Sequence, residues 1–170
     1  MQENIFRSAI KSGLVLGALF TLNFFLSIPQ NTGLTYTIVV GIVMFIAMCV
    51  VMWKLSIKYR DNECEGIISY GKSLGFILLT FFYASLISAV VMFVYVQIDP
   101  DYLIRLGDDS LKTLERLGLP IDDNVYESIR NSNRPLRFTI NSIFGNMILG
   151  LIVGLIIAVF VKKEKGVFEE

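Results

Sequence analysis

The sequence predicts an all-α integral membrane protein, a four-helix bundle with a small extracytoplasmic helical cap between the third and fourth transmembrane spans. Two observations predict this class. The chain has 170 residues, of which 54% are hydrophobic, above the roughly 45–50% of a soluble domain. Charged residues are missing from three long stretches, 13–52, 73–98 and 138–161, and an apolar run of about 18 residues or more is typical of a membrane span.

The whole chain, 1–170, is predicted to be a single membrane domain with four spans. They cover residues 8–28, 34–53, 74–98 and 138–161. Pro29, Asn31 and Gly33 predict a tight turn between the first two spans. An interfacial aromatic residue, Trp53, ends the second span. Asp99 ends the third, because the residue before a proline avoids the α conformation.

The distribution of basic residues predicts the orientation. The N-terminus, the loop between the second and third spans and the C-terminal tail together carry nine Lys and Arg residues. The first turn has none, and the loop 99–137 has six basic and eight acidic residues. The positive-inside rule therefore places both termini in the cytoplasm and the loop 99–137 on the other side of the membrane.

The loop 99–137 is predicted to form two short amphipathic helices. Asp109 or Ser110 would cap the first and Gly118 would end it, while Asp122 would start the second. The loop carries a leucine every three to five positions, at Leu103, Leu106, Leu111, Leu114 and Leu117. These leucines need cover, from the bilayer surface, from the ends of the spans, or from another protein that docks on them.

Residue types that support chemistry are scarce, so no catalytic, cofactor-binding or metal-binding residue is assigned and no cofactor is expected. The chain has no histidine, which is the commonest general base and metal ligand. No span core holds a charged residue, and this argues against a carrier coupled to protons or cations. The net charge is zero, so no basic field attracts nucleic acid. The expected partners are the lipid bilayer and either another protein or further copies of the chain.

Small residues recur at four-residue steps in the first and fourth spans. Gly13 and Gly17 lie in the first, and Gly150 and Gly154 in the fourth. Small side chains let helix backbones approach closely in lipid. These glycines are therefore predicted to serve helix packing inside the bundle or assembly with a partner.

Four polar residues inside the spans form a second candidate set: Asn23, Ser85, Ser88 and Asn146. Together they would line a possible intramembrane site for a small polar solute. The alternative is ordinary hydrogen bonding between helices, which contributes about 0.6 kcal/mol per bond in a membrane.

The loop between the second and third spans carries a resemblance to a known family. The runs Ile57-Lys58-Tyr59-Arg60-Asp61 and Gly66-Ile67-Ile68-Ser69-Tyr70-Gly71-Lys72-Ser73-Leu74 resemble that loop in the domain of unknown function 4199 family, uncharacterised membrane proteins found mainly in Bacteroidota. Asp99-Pro100 and the glycine-rich last span fit the same pattern. The outer loop departs from it, with Gly118-Leu119-Pro120 where a more charged helix is expected. The resemblance implies a four-span inner-membrane protein and implies no activity.

Three functions are compatible with these observations. The first is a non-enzymatic accessory or scaffold subunit of a cell-envelope complex. The second is a small oligomeric carrier or permease for a polar or neutral solute, with a path enclosed between copies. The third is an intramembrane enzyme acting on lipid-linked substrates, which would need Glu63 and Glu65 to converge near Lys58 and Arg60 at the membrane surface.

Overall fold

The computed structural model describes residues 5–28 and 34–163, and the predicted turn at Pro29, Asn31 and Gly33 lies outside them. The described residues form six α-helices and no strand, which confirms the all-α class. Their bounds are α1 Ile5–Leu26, α2 Leu34–Glu63, α3 Tyr70–Ile98, α4 Tyr102–Arg116, α5 Asp123–Ser132 and α6 Pro135–Val161. Helices α1, α2, α3 and α6 are long and apolar enough to cross a membrane, as predicted.

Each of the four long helices extends beyond its predicted span at one end. Helix α2 continues past Trp53 to Glu63, because nothing in the intervening polar sequence breaks a helix. Glu65 and Gly66 then stop it, with φ angles of 55° and 78°. Helix α3 begins at Tyr70. Helix α6 begins at Pro135, since proline fits the first helical position, where an N–H would have no helical acceptor.

The chain divides into two compact units. The first comprises the described residues up to Ser88 together with those from Gly145 onward. In its core, the Phe81 ring of α3 contacts the Phe20 ring of α1, with centroids 5.7 Å apart. Tyr59 of α2 stacks on Phe76 of α3 at 4.1 Å. Aromatic residues of α3 therefore connect this helix to both α1 and α2.

The loop between α2 and α3 fastens the end of α6 within the first unit. The backbone N–H of Ile68 donates to the carbonyl of Lys163, and the N–H of Lys163 donates to the carbonyl of Ile68, each at 3.0 Å. The Arg60 guanidinium donates to the carbonyl of Val161 at 3.3 Å. The end of α6 is thus held by backbone and side-chain donors from the α2–α3 loop region.

The second unit, Ala89–Phe144, contains the end of α3, helices α4 and α5, and the start of α6. Helix α4 begins at Tyr102, and the predicted cap at Asp109 or Ser110 is wrong. A turn after Asp99, closed by the Tyr102 N–H at 3.1 Å, restarts the helix at once, so both residues lie inside α4. The predicted stop at Gly118 is confirmed, with a φ of 69°.

The predicted start of the second short helix is also confirmed. The carboxylate of Asp122 accepts a hydrogen bond from the Val125 N–H at 2.8 Å, the expected geometry of a helix N-cap. The end of α5 lies beside the first turn of α4, where Asn133 donates to the Leu103 carbonyl. The two helices are therefore antiparallel, and we call residues 102–133 the α4–α5 hairpin. Its two helices join α3 and α6 through short connections at 99–101 and 133–134.

Candidate functional site

An open groove of about 350 Å³ lies between α4 and α5 of the hairpin. Apolar and polar groups both line it, and one charged side chain stands on each wall. Helix α4 contributes Leu103, Ile104, Gly107, Asp108 and Leu111, and α5 contributes Tyr126, Ile129, Arg130 and Asn133. An apolar cleft with a few polar groups is the usual form of a binding site.

At one end of the groove, α4 lies in close contact with the residue that follows α5. A Cβ atom on Gly107 would lie 2.7 Å from Nδ2 of Asn133. That same amide nitrogen donates to the carbonyl of Leu103 at 3.1 Å. Glycine at 107 therefore lets the Asn133 side chain tie the end of α5 to the first turn of α4.

The first turn of α4 is anchored by aromatic rings and an ion pair. Tyr102 is buried and lies edge-on to Tyr95, with centroids 5.4 Å apart, and to Phe138, at 6.2 Å. Arg105 of α4 forms an ion pair with Asp99 at the end of α3. These contacts fix the base of the hairpin.

The buried Tyr102 makes this anchor sensitive to alkali. Burial raises the pKa of its hydroxyl from 10.0 to about 12, with a further increase from Tyr95 and an opposing effect of Arg105. The unfolded chain loses this proton first, so the folded state loses stability as the pH rises from about 10 to 12. The loss should reach about 2 to 3 kcal/mol at the upper end.

Thermal unfolding of Tyr102→Phe and wild-type protein between pH 9 and 12 measures this effect. The variant should lose less stability than the wild type over that interval. Tyr126→Phe, which changes a half-exposed tyrosine of the same hairpin, is the control and should follow the wild-type curve. Equal curves for Tyr102→Phe and wild type would contradict the role given to this burial.

Beyond its anchored base, the hairpin leaves its apolar face uncovered. Helix α5 has no buried residue. The buried residues of α4, Tyr102, Leu103 and Gly107, all lie in its first two turns. Of the five leucines expected to need cover, only Leu103 is buried; three are half-buried and Leu117 is exposed. Ile104, on the groove, is 64% exposed.

The two charged side chains of the groove have no ionic partner among the residues that the structure describes. Neither Asp108 nor Arg130 takes part in an ion pair there. By contrast, Asp109 pairs with Lys112 at 3.6 Å on the outer side of α4. The groove therefore presents one acidic and one basic group for pairing with something else.

The four glycines predicted for packing or assembly all face α3 in the first unit. A Cβ on Gly13 would lie 2.7 Å from Cβ of Tyr83, and one on Gly17 would lie 3.1 Å from Ile87. On the other helix, a Cβ on Gly150 would lie 2.5 Å from the Phe81 ring, and one on Gly154 would lie 3.1 Å from Ile77. In this structure both glycine stripes thus serve packing against one helix of the same chain.

The four residues of the possible intramembrane polar site differ in burial and in hydrogen bonding. Asn23 is exposed and Asn146 half-buried. The buried Ser85 hydroxyl donates to the Phe81 carbonyl of its own helix at 2.7 Å. Ser88 is buried with no hydrogen-bond partner among the described residues. None of the four lines the groove of the hairpin.

The carboxylates required by the enzyme hypothesis lie around the end of α2. Asp61 pairs with the neighbouring Arg60 at 2.8 Å, while Glu63 ends the helix and Glu65 follows in the turn. Within 5–28 and 34–163, no group of three or more His, Cys, Asp or Glu residues is arranged to hold a metal ion.

Leu103 and Leu111 of the groove belong to the predicted leucine pattern, whereas Ile104 and the charged and polar lining residues were not predicted. The spacing of the leucines marked the apolar face of α4. It gave no reason to choose Asp108 among the loop's eight acidic residues, or Arg130 among its six basic ones. A helical projection that starts at Tyr102 places Asp108 beside Ile104 and Leu111, but the expected start near Asp109 concealed this.

Comparison with protein-family models gives a match over most of the chain. A family model described as "Protein of unknown function (DUF4199)" matches residues 8–163, which include all of α2 to α5 and the groove. No curated protein and no solved structure matches the chain significantly.

Proposed function

Since the chain belongs to the DUF4199 family of proteins of unknown function, we propose its role from its own geometry. It acts as a non-enzymatic accessory or scaffold subunit of a cell-envelope complex. Its four apolar helices anchor it in the inner membrane with both termini in the cytoplasm. The α4–α5 hairpin projects on the extracytoplasmic side and is its docking surface for another protein.

The observation that carries this proposal is the uncovered apolar face of the hairpin. A helix shorter than about 12 residues is marginal in water, and tertiary packing normally supplies its stability. Helix α5 has ten residues, none of them buried. Contact with another surface would supply the missing burial, and a docked protein does so while giving the hairpin a function.

The internal packing supports the choice of a scaffold over a carrier. A carrier needs a polar path, yet the Ser85 hydroxyl is satisfied by its own helix and Asn23 is exposed. The glycine stripes draw α1 and α6 tightly onto α3, which favours a static support.

Site-specific photo-crosslinking in living cells tests the proposal. A photoreactive amino acid replaces Ile104 on the groove, in the full-length chain at native expression. The matched control replaces Lys112, which is exposed on the same helix but does not line the groove. We expect one major protein adduct from position 104 and none of comparable yield from position 112.

The identity of the adduct from position 104 decides between a docked protein, contact with lipid and no contact. An adduct from position 104 that contains only lipid, or no adduct at all, would contradict docking of a protein on the hairpin. Reporter fusions at the C-terminus and at the α4–α5 connection test the topology, and a cytoplasmic hairpin would contradict it.

A further inference from the structure

We infer that the partner segment in the α4–α5 groove is an amphipathic helix whose apolar stripe is bordered by basic residues, one of which pairs with Asp108. This inference rests on the proposed function and specifies the chemistry of the docked partner. It is carried by three features of the hairpin: the dimensions of the groove, the unpaired Asp108, and the excess of acidic residues around the groove.

The groove has the length of two helical turns. Its α4 wall runs from Leu103 to Leu111, which is about 12 Å along the axis at 1.5 Å per residue. Ile104 and Ile129 offer apolar surface from opposite walls. A partner helix would fill such a groove with apolar residues at positions i, i+3 or i+4, and i+7.

The charges beside the groove select a basic partner. Asp108 stands on the α4 wall without an ionic partner among the described residues. On α5, Asp123 and Glu127 precede Arg130 by seven and three residues, so all three lie on one side of that helix. The segment 99–133 contains eight acidic and four basic residues, so the surroundings of the groove carry a net negative charge.

The same charges disfavour two other occupants. Helices that lie on a membrane surface are typically rich in Lys and Arg on their polar face, and this hairpin has the opposite balance. A second copy of the chain would bring an equal excess of acidic residues to the interface, and like charges facing each other weaken association. A basic helix of another protein meets neither objection.

Two synthetic helices of about 15 residues test the inference. Both carry the same leucine stripe; Lys borders it in one peptide and Glu in the other. They are titrated against the full-length protein in nanodiscs of zwitterionic lipid, with empty nanodiscs as the blank. We expect the Lys-bordered peptide to bind at least about tenfold more tightly than the Glu-bordered one.

Charge reversal in the protein localises the effect. Asp108→Lys should weaken binding of the Lys-bordered peptide about tenfold and strengthen binding of the other peptide. The control Glu115→Lys makes the same charge change at an exposed position of α4 that does not line the groove. It should change the affinity by less than about twofold. Equal melting temperatures of the two variants verify that both are folded.

Every other outcome overturns the inference. If both peptides bind equally, or if Glu115→Lys acts like Asp108→Lys, the groove does not select a basic helix, although protein docking at Ile104 can still stand. If neither peptide binds while the crosslink from Ile104 reaches a protein, the partner has different chemistry. If that crosslink joins two copies of this chain, the occupant is the chain itself.

Discussion

Replacing Gly150 by alanine should lower the free energy of unfolding by about 3 kcal/mol, because the new methyl group overfills the contact between α6 and α3. The added Cβ would lie 2.5 Å from Cγ and 2.6 Å from Cδ1 of Phe81. Phe81 has no exposed surface in which to move aside. The two helices must therefore separate, and every contact along their interface weakens.

Unfolding in mixed micelles with increasing dodecyl sulfate measures this change. Gly145→Ala is the matched control on the same helix, since a Cβ there meets no atom within 4 Å. It should leave the unfolding free energy within about 1 kcal/mol of the wild type. Similar stabilities of the two alanine variants would refute the close approach of α6 and α3 at Gly150.

Replacing Phe81 by alanine should cost still more, about 4 kcal/mol, since a buried phenylalanine is lost and leaves a cavity. Its ring contacts Phe20 of α1 and the backbone position of Gly150 in α6. One side chain of α3 thus holds helices on two sides. The neighbouring Phe82 is 40% exposed, and Phe82→Ala should cost at most about 1 kcal/mol.

The double variant Phe81→Ala with Gly150→Ala gives the sharper test. If the methyl group at 150 clashes with the Phe81 ring, removing the ring eliminates the two shortest contacts, at 2.5 and 2.6 Å, and leaves only the contact with Cβ of residue 81, at 2.8 Å. The double variant should then be more stable than the sum of the two single effects predicts. Strict additivity would show that the two residues do not interact and would contradict the packing described.

The membrane helices were predictable from sequence because a bilayer imposes a simple rule on composition. Runs without charge located α1, α2, α3 and α6, and the family resemblance is confirmed by the match over residues 8–163. The helix ends were less predictable. Helix α2 continues to Glu63 because a polar sequence can extend a helix into water, where hydropathy gives no information.

The position of the groove depended on the residue at which α4 begins, and the spacing of the leucines alone did not determine that residue. Asp109 and Ser110 are good capping residues, yet the helix begins at Tyr102, where aromatic contacts and the Asp99–Arg105 ion pair anchor it. Tertiary contacts overrode the local preference. The sequence also did not determine which helix the glycine stripes pack against, because small residues allow close packing with any neighbouring helix.

The packing of both α1 and α6 onto α3 has a consequence for biosynthesis. After the ribosome has made α3, the surface of Phe81 that contacts Gly150 stays uncovered until the hairpin and then α6 have been translated. The first unit therefore completes its core only after α6 has been made, and the Ile68–Lys163 bridge also requires the end of that helix. In a nascent chain interrupted before Gly150, α3 can pack against α1 and α2, but the surface of Phe81 that contacts α6 stays uncovered.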